Sequence, residues 1–550
     1  MHYQIARKNI PSQYIDLELT FKCTKNEVIE LQLPSWRPGR YELANYAQKI
    51  RHLKLLVDGA EFPLSKITKD QWRFASPHTG PVLLQYQYHA AQMDAGGSWS
   101  DDEQLYINFI NLVFQVKGRE QESIRVQLDV PQDYQLATAL PLSSPSILEA
   151  EGFYHLVDSP LIASPTLTHD QYQIHEHVFH LWFQGEIHFD RDELKKYFYN
   201  FSKQQIAAFG SFPTKDYHFL FQLLPYEHYH GVEHQFSTVI TLGPATDLAH
   251  KAFMNKLMGV SSHELYHFWN VCRIRPKELL PYNFSKEAYF DTGLVAEGVT
   301  TYMGDLFLWK SGYYSIQDYL GVLEKLINRE FEQFGWRNQS IVASSLDLWL
   351  DGYKAGVPNR KVSIYNRGAL ISLCLDLMLL DQGSSLSQVM QMMWVNFGQQ
   401  EIGYSLTDFQ NLVGQQLQDG DRAERFFEQH VYGTEDLLPI IQSQLQTVGV
   451  SMAENRRADL ESDHGLLLDE ASIIKSIHPN SPAYTQLMVG DVVQSREFED
   501  NPRGGVLRMT VLRSRRTLVF ELPSSGEIYF KHYQLTLGSS PEKLDHWKQQ

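Results

Sequence analysis

The hydrophobic period of the chain changes near residue 186, and this change dictates at least two kinds of architecture in one molecule. Between residues 14 and 130 the period is two: Ile15, Leu17, Leu19, Phe21 and Cys23 alternate with Asp16, Glu18, Thr20 and Lys22, and Ile124, Val126, Leu128 and Val130 repeat the pattern. Alternation of this kind buries one face of a sheet, so residues 1–170 are expected to form a β-rich, sandwich-like N-terminal domain, with Asp58-Gly59 as a hairpin turn. The segment 33–41, LPSWRPGRY, is too rich in Pro, Gly and Arg for a strand interior and is expected to be an ordered loop.

After residue 186 apolar residues recur at helical spacing. Asp190 with Glu193 predicts a helix start, and Leu194, Tyr197, Phe198, Phe201, Ile206 and Phe209 carry that helix to Gly210. A strand pair is expected over 217–224 and 235–242, then mostly helix to about residue 440, with further helix starts at Ser315/Asp318 and Ser405/Asp408. The last hundred residues return to short strands, and MTVLRSRRTLVFELP reads as a hairpin. A length of 550 residues accommodates these parts as separate domains.

Charge and cysteine usage narrow the function. A formal charge of −17 without clustered basic residues argues against nucleic acid as a partner. Cys23, Cys272 and Cys374 lie far apart, so neither a disulfide framework nor a thiolate zinc site is suggested. The N-terminus lacks an apolar signal core, and the longest apolar stretch, 369–380, is too short for a bilayer and contains Asp376, so a soluble cytoplasmic protein without a membrane partner is expected. The 22 histidines leave open a metal site made of imidazole and carboxylate.

The sharpest chemical signal is His263-Glu264-Leu265-Tyr266-His267, an HExxH motif within a proline-free segment, 248–269, that reads as a helix. On a helix, residues four apart stand one above the other, so both imidazoles can reach one metal ion. Glu264, about 100° around the helix, is then placed to act as a general base. A surface helix with two solvated histidines has the same spacing. Tetrahedral catalytic zinc needs a third protein ligand, and Glu297, in a second helical segment running to about Lys310, is one of many glutamates that spacing allows. Thr301, one turn on, is a candidate to hydrogen-bond a ligand, or an ordinary helix residue.

HELYHFWNVCRIRP (263–276) resembles the HExxH-Trp-Asn segment of the bacterial glycyl aminopeptidase family, gluzincin peptidases related to aminopeptidase N that carry a PDZ domain. LPSWRPGRY, AEGVTTYMGDLFL, SIYNRGALISLCLDL (363–377) and YGTEDLLP (432–439) resemble further segments of that family in the same order. The resemblance implies a multidomain α+β protein, with a thermolysin-like, mainly helical catalytic domain over 171–442 and a PDZ domain over 443–545. It implies one zinc ion per chain on His263, His267 and Glu297, with Glu264 as general base and Tyr365 facing the tetrahedral intermediate. Gly231-Val232-Glu233-His234 resembles the exopeptidase segment, which makes Glu233 the group that meets the substrate ammonium. His228, His230 and His234, and likewise His175, His177 and His180, read as structural or solvated. Three positions depart from the family: Leu294 and His230 replace a Trp and a Gly, and Arg367 replaces a Lys.

In the last part, Val448-Gly449-Val450-Ser451-Met452 resembles a PDZ carboxylate-binding strand, and Ser481-Pro482-Ala483 and Gly490-Asp491-Val492-Val493 resemble its helix and strand starts. The usual Asn-Gly turn is replaced by an acidic run from Glu497 to Asp500. The implied activity is zinc-dependent removal of small N-terminal residues, Gly or Ala, from peptides with a free N-terminus, with a C-terminal peptide as a candidate ligand of the PDZ domain. Two rivals stand beside it: a zinc endopeptidase, and a PDZ peptide-binding scaffold with a vestigial metal site.

Overall fold

A computed structural model describes residues 1–550 except 355, 458, 501–504, 539–540 and 550. The alternating N-terminal segment forms an eight-stranded sheet around Tyr14–Cys23, in which Ile15, Leu17, Leu19, Phe21 and Cys23 all point into the core. The first strand, His2–Asn9, pairs in parallel with Ile124–Asp129 and antiparallel with Tyr14–Cys23. Sheets of five and four strands complete this β-rich unit. Asp58 and Gly59, both at positive φ, join Ile50–Val57 to Ala60–Phe62 as the two-residue hairpin turn that the dipeptide specifies.

The N-terminal strands end with Leu161–Ser164, and Thr168–Ile174 opens a second, mixed sheet. Its order is Thr168–Ile174, His177–Gln184, Asp216–Leu223, Ser237–Gly243 and, at the edge, His228–Glu233. The sequence places a loop where the edge strand stands; its polar side chains do not alternate with apolar ones, and antiparallel pairing to Ser237–Gly243 holds it instead. Helix Arg191–Phe209 is capped by the Asp190 carboxylate, which accepts from the amides of Asp192 and Glu193, and closes on Gly210 at positive φ. Ser315/Asp318 and Ser405/Asp408 both form reciprocal capping boxes. Among the described residues, no helix is long and apolar enough to cross a membrane.

Helices continue past residue 440: Leu438–Thr447 crosses the boundary expected between 442 and 443. Beyond it, Val450–Arg456 pairs with Lys531–Leu537, and the expected hairpin is Val506–Arg513 with Arg516–Pro523, turning at Ser514 and Arg515. The outer edge of Lys531–Leu537 is capped by the helical region, where Asn328 exchanges two hydrogen bonds with the Tyr533 backbone and Glu324 accepts from the Leu535 amide. The Ser481-Pro482-Ala483 start gives a short turn of 3-10 helix, Pro482–Thr485. A final helix, Pro541–Gln549, returns to the helical region, where Trp547 packs against the stacked pair Trp309 and Tyr319.

Candidate active site

The HExxH residues close the helix Lys251–Tyr266, with His267 still helical in backbone at its C-terminal boundary. One turn apart, the Nε2 atoms of His263 and His267 lie 2.9 Å from each other. His267 Nδ1 donates to the Asn270 carbonyl at 2.6 Å, which leaves Nε2 free to act as a ligand. The Asn270 amide in turn donates to the Val295 carbonyl at 2.7 Å and to Thr300 Oγ1 at 3.0 Å. Asn270 therefore locks the histidine helix to the segment that carries Glu297.

Glu297 sits in a π-helical turn, Leu294–Val299, that runs into the helix Thr300–Lys310. Its Oε2 lies 3.4 Å from His267 Nε2 and 3.6 Å from His263 Nε2. Next to it, Gly298 crosses Gly368 of the helix Asn366–Leu380 in backbone contact, and this crossing brings Tyr365, three residues before Gly368, to the same cleft. Thr300, beside the expected Thr301, bonds Asn270 and the Ala296 carbonyl rather than a candidate ligand. The Thr301 hydroxyl is buried along the cleft without a hydrogen-bond partner.

Glu264 and Glu233 approach from the helix and from the edge strand. A Cβ built on Gly231 would overlap the Glu264 carboxylate, and one on Gly39 would overlap that of Glu233. Gly39 has φ +73°, a conformation that favours glycine. It belongs to the loop 33–41, which leaves the N-terminal domain and inserts here, anchored by Trp36, whose indole donates to the carbonyls of Asn283 and Lys286 and packs edge-on against Trp349. In this way a feature of the first domain forms a wall of the cleft.

Three buried carboxylates thus surround two imidazoles, and Glu233 Oε1, Glu264 Oε2 and Glu297 Oε2 have no hydrogen-bond partner. Burial pushes the Glu264 carboxyl well above the ordinary range, and Glu233 and Glu297 add to that push. Burial likewise raises Glu233. Burial alone would lower the His267 imidazole, but Glu297, Glu233 and Glu264 outweigh it and push it up to about 10. Such a cluster is short of positive charge and fits a divalent cation that replaces the proton on His267. Donor atoms of His263, His267 and Glu297 lie within 4.8 Å of one another, as do those of Glu233, Glu264 and His267. Two imidazoles with one carboxylate is the catalytic zinc set, and it leaves Glu233 and Glu264 free for other work.

Tyr365 completes the cleft, a cavity of 440 Å³ also lined by Arg40, Tyr229, Gly259, Val260, Asp305, Arg329 and Tyr353. Tyr365 shares the cleft with Tyr353, whose hydroxyl accepts from the Tyr41 amide at 3.2 Å. Burial holds the Tyr365 phenol well above its ordinary pKa, with Glu297 reinforcing the effect, so it is a hydrogen-bond donor at neutral pH. Sequence reasoning missed Tyr353 and Asn270: the first stands in no motif, and the second belongs to HELYHFWN but was not given a role. Arg367 points elsewhere. It is fully buried, pairs with Glu330 at 3.1 Å and donates to the Glu435 carbonyl. His234 is held by Asp158 and His230 by Arg37, while His177 and His180 bond the Thr214 carbonyl and Asp216.

Residues 2–165 match the family model of the peptidase M61 N-terminal domain, and residues 256–371 match that of M61 glycyl aminopeptidase. Among solved structures, an aminopeptidase N family protein from Idiomarina loihiensis is 25% identical, with 99% of each chain covered and a TM-score of 0.90. A mutant M1 zinc metallopeptidase from Deinococcus radiodurans bound to a Tyr-Ser-Ala substrate shares the fold at 16% identity and a TM-score of 0.50, over 79% of this chain and 94% of that one. No curated protein matches the chain.

Proposed function

The chain belongs to the M61 glycyl aminopeptidase family, and from that premise we propose that it is a zinc-dependent aminopeptidase acting on peptides with a free N-terminus. The observation that carries this reading is the meeting, in one cleft, of the His263, His267 and Glu297 donors with two further buried carboxylates that have unsatisfied oxygens. His263, His267 and Glu297 would hold one zinc ion, which supplies Lewis acidity toward the scissile carbonyl.

The chain's own groups account for the rest. Glu264 takes a proton from the attacking water and returns it to the leaving amine. The Tyr365 hydroxyl donates to the oxygen on which negative charge develops, an interaction that strengthens only in the transition state. Glu233, buried at the side of the cleft, accepts the substrate ammonium in a charge-assisted contact. The Gly39 backbone packs directly against the Glu233 carboxylate, which ties the loop 33–41 to the group that would meet the ammonium. The preference for Gly or Ala proposed here rests on the family, and Tyr353, which donates to the Gly39 carbonyl at 3.5 Å, stands on the same wall.

Residues beyond Val450 are proposed as a PDZ module. One side of Val450–Arg456 is taken by Lys531–Leu537, so an extended C-terminal peptide would add to the other edge. A cytoplasmic location is part of the same proposal, resting on the sequence and on the three free cysteines.

The test is to measure zinc in the purified protein and cleavage of glycine p-nitroanilide before and after chelation, together with free and N-acetylated forms of one peptide. The expected result is about one zinc per chain, chelator-sensitive release, and cleavage of the free peptide alone. Equal cleavage of the acetylated peptide would take Glu233 out of its role, and a metal-free inert protein would favour the scaffold reading.

A further inference from the structure

The cleft continues beyond the ligand cluster, and its far end carries a charge that the reaction above does not use. Glu297, Thr301 and Asp305 recur every four residues along the π turn and helix, and all three line the cleft. The opposite wall runs the other way, from His267 through His263 to Gly259. Gly304 packs on the His263 backbone, and a Cβ built on Gly259 would lie 3.9 Å from Asp305 Oδ1. The cleft therefore has a direction: Gly39 and Glu233 at the amine end, the ligand cluster in the middle, and Gly259 and Asp305 at the end where the leaving chain lies. Two helical turns and more separate Asp305 from Glu297, roughly 12 Å at 1.5 Å per residue. That equals about three to four residues of extended peptide at roughly 3.3 Å each, a span that a long side chain shortens.

Asp305 makes no hydrogen bond or ion pair among the described residues. The Tyr314 hydroxyl lies as close to Gly259 as Asp305 Oδ1 does, Tyr229 lines the same cleft, and Lys325 of helix Ile316–Phe331 contributes to the field at Asp305 without reaching ion-pair distance. Arg329, exposed on the same helix, lines the mouth of this end. Asp305 is half-buried in the cleft, so a substrate lying over it removes its remaining water, and a substrate that supplies a cation there offsets that cost at the moment of binding. A substrate with an apolar side chain there leaves the group desolvated and unpaired, and a site of this kind discriminates against such substrates.

Building on the aminopeptidase reading, we propose that Asp305 selects a cationic side chain, lysine or arginine, on one of the first two residues behind the scissile bond. The zinc-loaded full chain would be assayed on Gly-Lys-Ala-Ala and Gly-Ala-Lys-Ala against the same peptides with leucine or glutamate in place of lysine. The wild type is expected to favour lysine over leucine at one of the two positions by about tenfold in kcat/KM, with glutamate poorest. In Asp305→Asn and Asp305→Ser the ratio should fall to about one, with charge selection lost rather than turnover. A wild type with no lysine preference at either position overturns the proposal even if the variants fail to fold, and so does a preference that survives both substitutions. Failure of the wild type to cleave any of the peptides would instead overturn the aminopeptidase reading beneath it.

Discussion

Gly298 and Gly368 touch backbone to backbone: a Cβ on Gly298 would lie 2.5 Å from the Gly368 Cα, and one on Gly368 would lie 2.6 Å from the Gly298 Cα. The crossing sets how closely the segment holding Glu297 approaches the helix that begins beside Tyr365. Gly368→Ala should push the two apart, costing about 1–3 kcal/mol of stability as overpacking does, and should lower kcat more than it raises KM. Thermal denaturation and steady-state kinetics on one preparation check both parts; unchanged kcat would show that the crossing does not position the site.

Glu264→Gln keeps the shape of the side chain and removes its ability to take a proton. Turnover of glycine p-nitroanilide should fall by about 10²–10⁴ while the zinc content stays at the wild-type level. Metal analysis beside the rate measurement separates loss of the base from loss of the ion.

Tyr365→Phe deletes one hydroxyl and keeps the ring. If the hydroxyl serves the transition state, kcat should drop by about 10²–10³ with KM nearly unchanged. A rise in KM with kcat intact would make Tyr365 a binding residue instead.

His218 offers a pH test remote from the ligand cluster. Burial pushes its imidazole down to about 3, helped by His180, which stacks on it at 4.4 Å, and by His169; Trp182 donates to its Nδ1 at 3.2 Å, which requires that nitrogen unprotonated. A histidine lowered on folding takes up its proton more readily when unfolded. Its contribution is therefore intact above about pH 6.5 and is lost as pH falls toward 3, by up to about 1.4 kcal/mol per unit. Melting temperatures recorded from pH 7 to pH 4 should show this loss, and His218→Gln should flatten the slope below pH 6.5.

Much of this molecule is legible in its sequence because the signals are local. Alternation fixes which faces of Tyr14–Cys23 are buried, Ser315/Asp318 and Ser405/Asp408 write their own helix caps, and Asp58-Gly59 writes its turn. The HExxH spacing places two imidazoles 2.9 Å apart by helix geometry alone. What the sequence hides is long-range. Gly39 meets Glu233 across nearly two hundred residues, and Tyr353 joins Tyr365 in the cleft from a segment without a motif. The edge strand His228–Glu233 was hidden for a related reason: its partner strand, rather than its own pattern, makes it a strand.

Trp547 gives the C-terminal region a mechanical character that its strands alone would not suggest. Its indole packs against the stacked rings of Trp309 and Tyr319 and reaches Asp376, whose carboxylate also holds Tyr302 and the Leu386 amide. The strands beyond Val450 are thus entered from helix Leu438–Thr447 and left through a helix that plugs back into the same helical body. They form a closed handle rather than a pendant, and force applied to it is borne at both ends and along Lys531–Leu537, where Asn328 and Glu324 grip the backbone.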